Sequence, residues 1–218
     1  MKNSKPRGDA LTVSYRERYQ SALVPVAEAL HQHIADLFKG EPRIDRISAR
    51  AKDPDSFLKK AKARSANRAK YSEPLAQIQD QIGARIITFY RSDVERLDVI
   101  VKKYFKPIEV RNRVPDSEWE FGYFGRHYVL VLPTDVKIDS VDKKDLPDFF
   151  ELQIKTLFQH AWSEADHDLG YKPGSTPLTS DEKRKLAYTS AQSWGADHMF
   201  DELFQAQAAV KVTADKDA

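Results

Sequence analysis

The sequence predicts an α+β protein in which a mixed β-sheet of about five strands is flanked by helices. Hydrophobic residues make up 41% of the 218 residues and aromatic residues 11%, which is enough for a buried core and argues against wholesale disorder. Short apolar, β-branched runs alternate with amphipathic helical patterns, and this interleaving favours a mixed sheet with packed helices over a helical bundle. The sequence has no internal repeat, so its length suits one domain with a helical extension.

The first element is a long amphipathic helix over Ser14–Phe38, because leucine, valine and isoleucine recur there at helical spacing. Ser14 and Glu17 form a capping-box pair at its start, and Pro25 should kink the helix or divide it in two. We assign residues 1–43 to this N-terminal helical segment.

The remaining elements alternate between strands and helices. A short strand over Arg43–Lys52 leads into Asp53 and Pro54, which suit the N-cap and the first position of a basic helix that reaches about Lys70. The apolar run Gly83–Tyr90 predicts a buried strand. The later elements are a helix from Ser92 to about Tyr104, strands at Phe105–Arg113, Arg126–Leu132 and Phe149–Lys155, a helix from Thr156 to about Leu169, and a helix that opens with a capping box at Thr179–Glu182 and ends near Ala209.

The charge of the chain is balanced overall but uneven along its length. The formal net charge is +2, yet residues 1–70 carry +8 and residues 71–218 carry −6, so the first third could hold a polyanion while the rest supplies carboxylates. The sequence has no cysteine, which excludes disulfides, thiolate nucleophiles and cysteine zinc sites. Since it has neither a secretory signal pattern nor an apolar run near the ~20 residues of a membrane span, we expect a soluble cytoplasmic protein without a membrane partner.

Three groups of polar residues carry candidate chemistry, and the first is Arg50-x-Lys52-x3-Ser56-x3-Lys60. Residues two apart on a strand or four apart on a helix share a face, so a strand-to-helix turn brings three cations and a hydroxyl together. Such a group suits a polyphosphate, because arginine binds oxygens by a fork, lysine as a point charge and serine by a hydrogen bond. The alternative interpretation is a solvated basic helix face.

Asp80 and Glu151 form the second group, because each stands at the end of an apolar strand. Two carboxylates at neighbouring strand ends can bind Mg²⁺ and leave room for phosphates, and one of them can accept a proton from a hydroxyl. Glu151, Gln153 and Lys155 share a strand face, which is consistent with a polar site. The alternative is two unrelated acids at strand ends.

The third group is the GYFGRHY segment, in which Tyr123 can offer its ring to a nucleobase and His127 can meet a phosphate or ribose. A turn with aromatic packing is the alternative. His160, Glu164 and His167 share a helix face, but the sequence offers no HExxH pattern and no third ligand at a usual distance. We therefore interpret them as a hydrogen-bonded structural face rather than a zinc site.

Taken in order, these residues resemble the synthetase domain of the RelA/SpoT-type alarmone synthetases, over about Ile44–Lys172. The first group is similar to the family's ATP-binding motif. Four further segments match in register: Asp80–Ile86 (DQIGARI) is similar to D-x-x-G-x-R-I, Gly122–His127 to G-Y-x-x-x-H, Glu151–Thr156 (ELQIKT) to E-I-Q-I-R-T, and Trp162, His167, Tyr171 and Lys172 to W…H…Y-K. One such motif would be weak evidence for the resemblance, but five motifs in the same order are strong evidence.

The resemblance implies a nucleotidyltransferase-like synthetase fold over residues 44–172, followed by a C-terminal helix and tail over residues 173–218. It also implies a pyrophosphokinase that transfers the β,γ-pyrophosphate of ATP to the 3′-hydroxyl of GDP or GTP, makes (p)ppGpp and releases AMP, with Mg²⁺ as cofactor. By the same resemblance, ATP is bound by Arg50, Lys52, Ser56, Lys60 and Arg85, Mg²⁺ by the catalytic residues Asp80 and Glu151, and the acceptor by Tyr123, His127, Gln153 and Lys155.

Two departures from the family pattern leave the acceptor open. Phe124-Gly125-Arg126 stand where synthetases that use GDP or GTP usually have Arg-Ser-Leu, and the lysine-containing stretch that holds the acceptor phosphates is not recognisable. The alternatives are a toxin of the same fold, with an antitoxin partner, that pyrophosphorylates the tRNA 3′-end or makes adenine alarmones, and a catalytically degenerate nucleotide-binding protein. Related small synthetases often form homotetramers through terminal helices, so the helix over Ser180–Ala209, with Leu186, Trp194, Met199 and Leu203, is a candidate contact surface of a homo-oligomer. The alternative is that this helix packs on the sheet of its own chain.

Overall fold

A five-stranded mixed sheet forms the centre of this computed structural model, which describes residues 7–66, 68–112, 121–123, 125–136, 138, 141–170 and 177–214. The strands are β1 (Ile44–Ala51), β2 (Arg64–Ser65), β3 (Arg68–Ala69), β4 (Ile82–Thr88), β5 (Pro107–Asn112), β6 (Arg126–Val131) and β7 (Phe149–Thr156). The sheet has the order β1-β4-β7-β6-β5, and only β4 and β7 among its pairs are parallel. Strands β2 and β3 form a separate hairpin.

Helices lie around this sheet, and the predicted fold class of a mixed sheet with flanking helices is confirmed. They are α1 (Arg7–Arg18), α2 (Val24–Leu37), α3 (Pro54–Ala61), α4 (Pro74–Gln77), α5 (Arg91–Tyr104), α6 (Leu157–Gly170) and α7 (Ser180–Ala214), with a π-helical turn at Tyr19–Leu23 and 3₁₀ turns at Gln79–Gln81 and Lys143–Asp145. None of the helices in the described part of the chain is both long and apolar enough to cross a membrane.

One face of the sheet is apolar and carries the core. Alternate residues of each strand point to this face, because side chains in a strand alternate between its two sides. Helices α2 and α5 pack on it. Its side chains are Ala49 and Ala51 of β1, Ile82, Ala84 and Ile86 of β4, Phe150, Leu152 and Ile154 of β7, and Tyr128 and Leu130 of β6. The opposite face is therefore left for polar side chains.

The N-terminal helix differs from its prediction at its start. It begins at Arg7, so Ser14 lies inside α1 and does not cap it. The expected division at Pro25 is present, because a π-helical turn over Tyr19–Leu23 separates α1 from α2 directly before the proline. Proline cannot donate a backbone hydrogen bond and its ring clashes with the preceding turn, so a wider turn accommodates it.

Helix α1 contacts the segments on both sides of β1 and β4. The Tyr15 hydroxyl donates to the backbone carbonyl of Lys52 at 2.8 Å, and its ring stacks on Phe57 of α3 with a centroid separation of 3.6 Å. Arg18 donates from Nη1 to Gln81 Oε1 at 2.9 Å. Lys52 directly follows β1 and Gln81 directly precedes β4, so α1 fixes the end of one strand and the start of the next strand in the sheet.

The basic helix predicted to reach Lys70 ends at Ala61, and the hairpin of β2 and β3 replaces the rest. Phe57 and Ala61 are the buried residues of α3, and no large apolar side chain follows before Lys70. A helix gains most of its stability from burying an apolar face, so nothing holds these residues in a helix. Ala66 turns the hairpin with a positive φ of 46°.

Two later helices also depart from their predicted ends. Helix α5 begins at Arg91, and Ser92 does not cap it but donates from Oγ to Asp201 of α7 at 2.6 Å. The capping box at Thr179–Glu182 is present, with the Thr179 backbone amide donating to Glu182 Oε2 at 2.8 Å. Helix α7 then continues to Ala214 rather than ending near Ala209.

The Tyr15→Phe substitution tests the contact between α1 and β1. It keeps the stacked ring and removes only the hydroxyl, so the Lys52 carbonyl loses its donor and the free energy of unfolding should fall by about 1–2 kcal/mol. Urea denaturation measures this change. Ser21→Ala removes an exposed hydroxyl that bonds within its own helix and should change stability by less than ~0.5 kcal/mol, so equal losses in the two variants would contradict the assignment.

Candidate active site

The polar face of the sheet brings the predicted site residues together in two rows. Residues that pair across neighbouring strands point to the same side of a sheet. The first row contains Arg50, Gly83 and Glu151, and the second contains Ser48, Arg85, Gln153 and His127. Neighbouring strands are about 4.8 Å apart, so Arg85 on β4 lies one strand spacing from Gln153 and two from His127, while Arg50 on β1 lies two strand spacings from β7.

Asp80 lies beside the first row, in the 3₁₀ turn that leads into β4, and two lysines contact it. Lys52 Nζ and Lys60 Nζ lie 3.0 Å and 2.8 Å from Asp80 Oδ2. Burial raises the pKa of the Asp80 carboxyl, but the two lysines outweigh it and hold this pKa below its ordinary value. Asp80 Oδ1 is buried and has no hydrogen-bond partner within the described residues, so one oxygen remains available for a ligand.

The start of α3 places Lys60 against Asp80. Asp53 caps this helix as predicted, since its Oδ1 accepts from the backbone amides of Asp55 and Ser56 at 3.0 Å each. Lys60 is one helical turn beyond Ser56, so the cap fixes the direction from which the lysine reaches the polar face. Ser56, like Arg50, is exposed.

A contact between Glu151 of the first row and His127 of the second row joins the two rows. His127 Nδ1 lies 2.8 Å from Glu151 Oε1, and because a carboxylate can only accept, this nitrogen carries the proton. Burial raises the pKa of Glu151, but the hydrogen bond from His127, the charge of His127 and a hydrogen bond from Gln153 together outweigh it and keep the pKa below its ordinary value. The 3₁₀ turn that carries Asp80 contacts β7, and the charge of Asp80 acts on Glu151, so the two acids face one region. His127 Nε2 and Gln153 Oε1 are buried without partners among the described residues.

Arg85 is held by two side chains of α6. Its Nη1 donates to His160 Nδ1 at 3.1 Å and to Glu164 Oε1 at 2.7 Å. Burial, followed by the charge of Arg85, lowers the pKa of His160. The sequence indicated that these residues share a polar helix face, but it gave no sign that an arginine 75 residues away occupies that face.

Tyr123 and Lys155 lie away from the two acids. The Tyr123 side chain is 7% exposed and its hydroxyl donates to Asp197 of α7, which also accepts from Thr156 Oγ1. Lys155 is buried and donates to Ser163 of α6 at 2.8 Å. Thr156 is five residues beyond Glu151, a distance of about 17 Å along a strand. The structure therefore spreads the predicted acceptor residues along β7.

Gly125 allows the chain to pass close to β7. A Cβ atom at this position would collide with the backbone carbonyl oxygen of Ile154 and with the side chain of Lys155. Because Gly125 has no Cβ atom, the chain can approach β7 closely at this position, which lies between Tyr123 and His127 in sequence. By contrast, a Cβ at Gly83 would meet no atom within 4 Å, so the polar face is open between Arg50 and Glu151.

The residues fit Mg²⁺ only as a pair of acids that shares the ion with a substrate. Within the described ranges, no three His, Cys, Asp or Glu side chains form a group that could hold a metal. Mg²⁺ is commonly bound by one or two carboxylates together with substrate phosphates, and Asp80 offers a buried oxygen without a protein partner in the described part of the chain.

A cavity of about 620 Å³ lies beside Arg18 and the 3₁₀ turn at Lys143–Asp145, and neither of these two acids lines it.

Several residues of the predicted motifs lie outside the described residues. These are Phe124, Tyr171 and Lys172, as well as Arg113 and the segment 116–120 in the region where the family's acceptor-binding lysines were sought. The predicted boundary between residues 172 and 173 falls there as well.

Comparison with known proteins identifies the family. The family model described as a region found in RelA / SpoT proteins matches residues 49–176, which is more than half of the chain, so the chain belongs to the RelA/SpoT family. The predicted family is thereby confirmed. The prediction of an enzyme of the pyrophosphokinase-like transferase class is confirmed with it.

Its relatives are small alarmone synthetases. The GTP pyrophosphokinase YjbM of Bacillus subtilis (strain 168) is 27% identical over 210 residues, which cover 89% of this chain and 91% of YjbM. The crystal structure of small alarmone synthetase 1 from Bacillus subtilis superposes with a TM-score of 0.68 at 22% identity, covering 90% of this chain and 97% of that one. The same synthetase bound to its product pppGpp gives a TM-score of 0.66 at 20% identity over the same shares. These superpositions establish the shared fold.

The Gly125→Ala substitution tests the close approach to β7. Since the added methyl group meets a backbone oxygen that cannot move independently, we expect the free energy of unfolding to fall by about 1–3 kcal/mol. Gly195→Ala is the matched control, because its Cβ would meet no atom within 4 Å inside α7, and alanine favours a helix over glycine by up to ~1 kcal/mol. Urea denaturation measures the free energy of unfolding. An equal value for Gly125→Ala and the parent chain would contradict the close contact between Gly125 and β7.

The pH dependence of stability tests the burial of His160 beside Arg85. A histidine whose pKa is lower in the folded than in the unfolded chain binds fewer protons when folded, so its contribution to stability is lost as the pH falls below the unfolded value of about 6.5. Relative to His160→Gln, the parent chain should therefore gain unfolding free energy as the pH rises from about 5 to about 7. Urea denaturation measures the unfolding free energy of both proteins at each pH. If the difference between the parent chain and His160→Gln does not change across this range, the pKa of His160 is not lowered in the folded chain.

Proposed function

We propose that this protein is an ATP-dependent pyrophosphokinase that makes (p)ppGpp from GDP or GTP. The carrying observation is the arrangement on the polar face, where Asp80 and Glu151 face one region and Lys52 and Lys60 contact Asp80. A triphosphate needs cations, and a transferred pyrophosphate needs its charge neutralised where the bond breaks. The curated relative named GTP pyrophosphokinase and the relative crystallised with pppGpp support a guanine nucleotide as acceptor.

On the donor side, the chain would bind ATP through the cations at β1, α3 and β4. Arg50 and Arg85 would hold the adenine, while Lys52, Ser56 and Lys60 would hold the phosphates. Because Lys52 and Lys60 already contact a carboxylate, they are oriented before the nucleotide arrives, which reduces the entropy lost on binding.

On the acceptor side, the 3′-oxygen would attack the β-phosphorus of ATP. A bond forms between that oxygen and the β-phosphorus, the bond from the β-phosphorus to the α,β-bridging oxygen breaks, and AMP leaves. The proton of the 3′-hydroxyl would pass to Glu151, which its hydrogen bond from His127 keeps ionised. Tyr123 would lie against the acceptor base, and His127, Gln153 and Lys155 would contact the acceptor.

Asp80 and Glu151 would also bind Mg²⁺, which neutralises phosphate charge during such a transfer. The reaction would take place in the cytoplasm, where ATP is supplied. A second copy of the chain would contact the exposed apolar side chains of α7, which are Tyr188, Met199, Leu203 and Val210.

A second candidate is a toxin that pyrophosphorylates the 3′-end of tRNA, inhibited by an antitoxin protein. The exposed basic hairpin of β2 and β3, with Arg64 and Arg68, adjoins α3 and favours a larger polyanion than a nucleotide. ATP as acceptor, giving adenine alarmones, is the third outcome of the same test.

One transfer experiment tests these functions together. The full chain is incubated with Mg²⁺ and γ-labelled ATP, with GDP, GTP, unlabelled ATP or bulk tRNA as acceptor, and we expect label on the 3′-position of GDP or GTP with release of AMP. Asp80→Asn and Glu151→Gln should each lower this rate by at least about 100-fold, since each removes a charge from the site of transfer.

Asp181→Asn is the matched control, because it removes an exposed acid on α7 and should leave the rate unchanged within about twofold. Label on tRNA that decreases steeply with salt would establish the toxin in place of the synthetase. If no acceptor gains label, the chain is a nucleotide-binding protein and the proposed activity is wrong.

A further inference from the structure

A buried acid of α7 contacts the tyrosine assigned to the acceptor. Asp197 is 0% exposed, and its Oδ2 accepts hydrogen bonds from the Tyr123 hydroxyl and, at 2.6 Å, from Thr156 Oγ1. Tyr123 and Asp197 are 74 residues apart in sequence. The single oxygen therefore joins three segments: the chain before β6, the end of β7, and the C-terminal helix.

Helix α7 has other contacts with the domain besides this acid. Phe204 stacks on Tyr90 with a centroid separation of 4.4 Å and lies under the Arg43 guanidinium at 4.5 Å, while Asp201 accepts from Ser92. A buried carboxyl is costly unless its oxygens are bonded, and burial raises the pKa of Asp197. Asp197 Oδ1 has no hydrogen-bond partner within the described residues. A role beyond helix packing explains why an acid occupies this position.

We infer that Asp197 is a positioning residue for the acceptor, because it fixes the ring of Tyr123 through the hydroxyl of that tyrosine. This inference rests on the proposed function, because it concerns the acceptor of that reaction. Gly125 brings the chain against β7 on one side of Tyr123, and Asp197 holds the hydroxyl at the other end of the ring. The ring thus has one orientation before any acceptor binds, which lowers the entropy lost on binding.

Steady-state kinetics of three variants test the inference, with the acceptor that gains label in the transfer experiment, GDP for the proposed reaction. Asp197→Ala should raise the KM for that acceptor about tenfold or more and leave the KM for ATP within about twofold, because the hydrogen bond that fixes Tyr123 is lost on the acceptor side alone. Tyr123→Phe should raise the same KM, and the double variant should be no worse than Asp197→Ala, since Asp197→Ala already removes the contact that Tyr123→Phe removes. Asp197→Asn keeps an oxygen acceptor and should restore most of the affinity.

Asp201→Ala is the matched control, because it removes the other acid by which α7 contacts the domain but does not touch Tyr123. It should lower stability and leave both KM values unchanged. If Asp197→Ala also leaves the acceptor KM unchanged, or raises both KM values equally, Asp197 only anchors the helix and the inference is wrong. Should Asp197→Ala fail to fold, Asp197→Asn and Tyr123→Phe decide between these outcomes.

Hydrogen exchange separates a failure of this inference from a failure of the proposed function. If the parent chain labels no acceptor, the proposed function is wrong, yet exchange can still be followed in the peptide that contains Phe121–Tyr123. Exchange there should be faster in Asp197→Ala than in the parent chain and unchanged in Asp201→Ala. Equal exchange in Asp197→Ala and the parent chain would refute the positioning role whether or not the chain is active.

Discussion

The strict alternation of side chains across one sheet is the constraint on which both the core and the active site depend. Alternate residues of β1, β4, β7 and β6 form an apolar face that α2 and α5 cover, so the residues between them must all point to the other face. A shift of one residue in the pairing of β7 with its neighbours would send Glu151 into the core and Leu152 to the solvent. The parallel pair of β4 and β7 fixes that register, because it aligns Gly83 with Glu151 and Arg85 with Gln153. Burial of the core therefore selects the arrangement of the polar residues.

The two terminal helices contact different parts of the sheet. Helix α1 contacts the segments next to Lys52 and Asp80, since Tyr15 bonds to the backbone of Lys52 and Arg18 to Gln81 beside Asp80. Helix α7 contacts the end of β7 and Tyr123 through Asp197. Helix α6 lies between them and holds Arg85. The cationic groups are neutralised locally by acids rather than left to repel one another, which keeps a densely charged surface compatible with folding.

The sequence predicted the strands of the sheet to within a few residues, because apolar runs are local patterns. The spacing of Lys52 and Lys60 indicated that they approach one region, and both contact Asp80, while the roles of the charged residues stay predictions. The missing features depend on contacts between distant segments. The sequence around Asp197 does not distinguish it from the other acids of α7. The sequence around Arg85 likewise does not indicate that His160 and Glu164 contact it. The start of α1 and the hairpin after α3 were missed because tertiary packing, rather than helix propensity, decides where those helices begin and end.

The π-helical turn before Pro25 sets the angular relation between the first two helices. Each residue of an α-helix rotates the chain by about 100°, and a π-helical turn holds one residue more than an α-helical turn. Without that extra residue, α1 would be rotated about its axis relative to α2. Tyr15 and Arg18 would then point in a different direction while α2 still packed on the sheet. A local accommodation of proline therefore also decides which side of α1 faces Lys52 and Gln81.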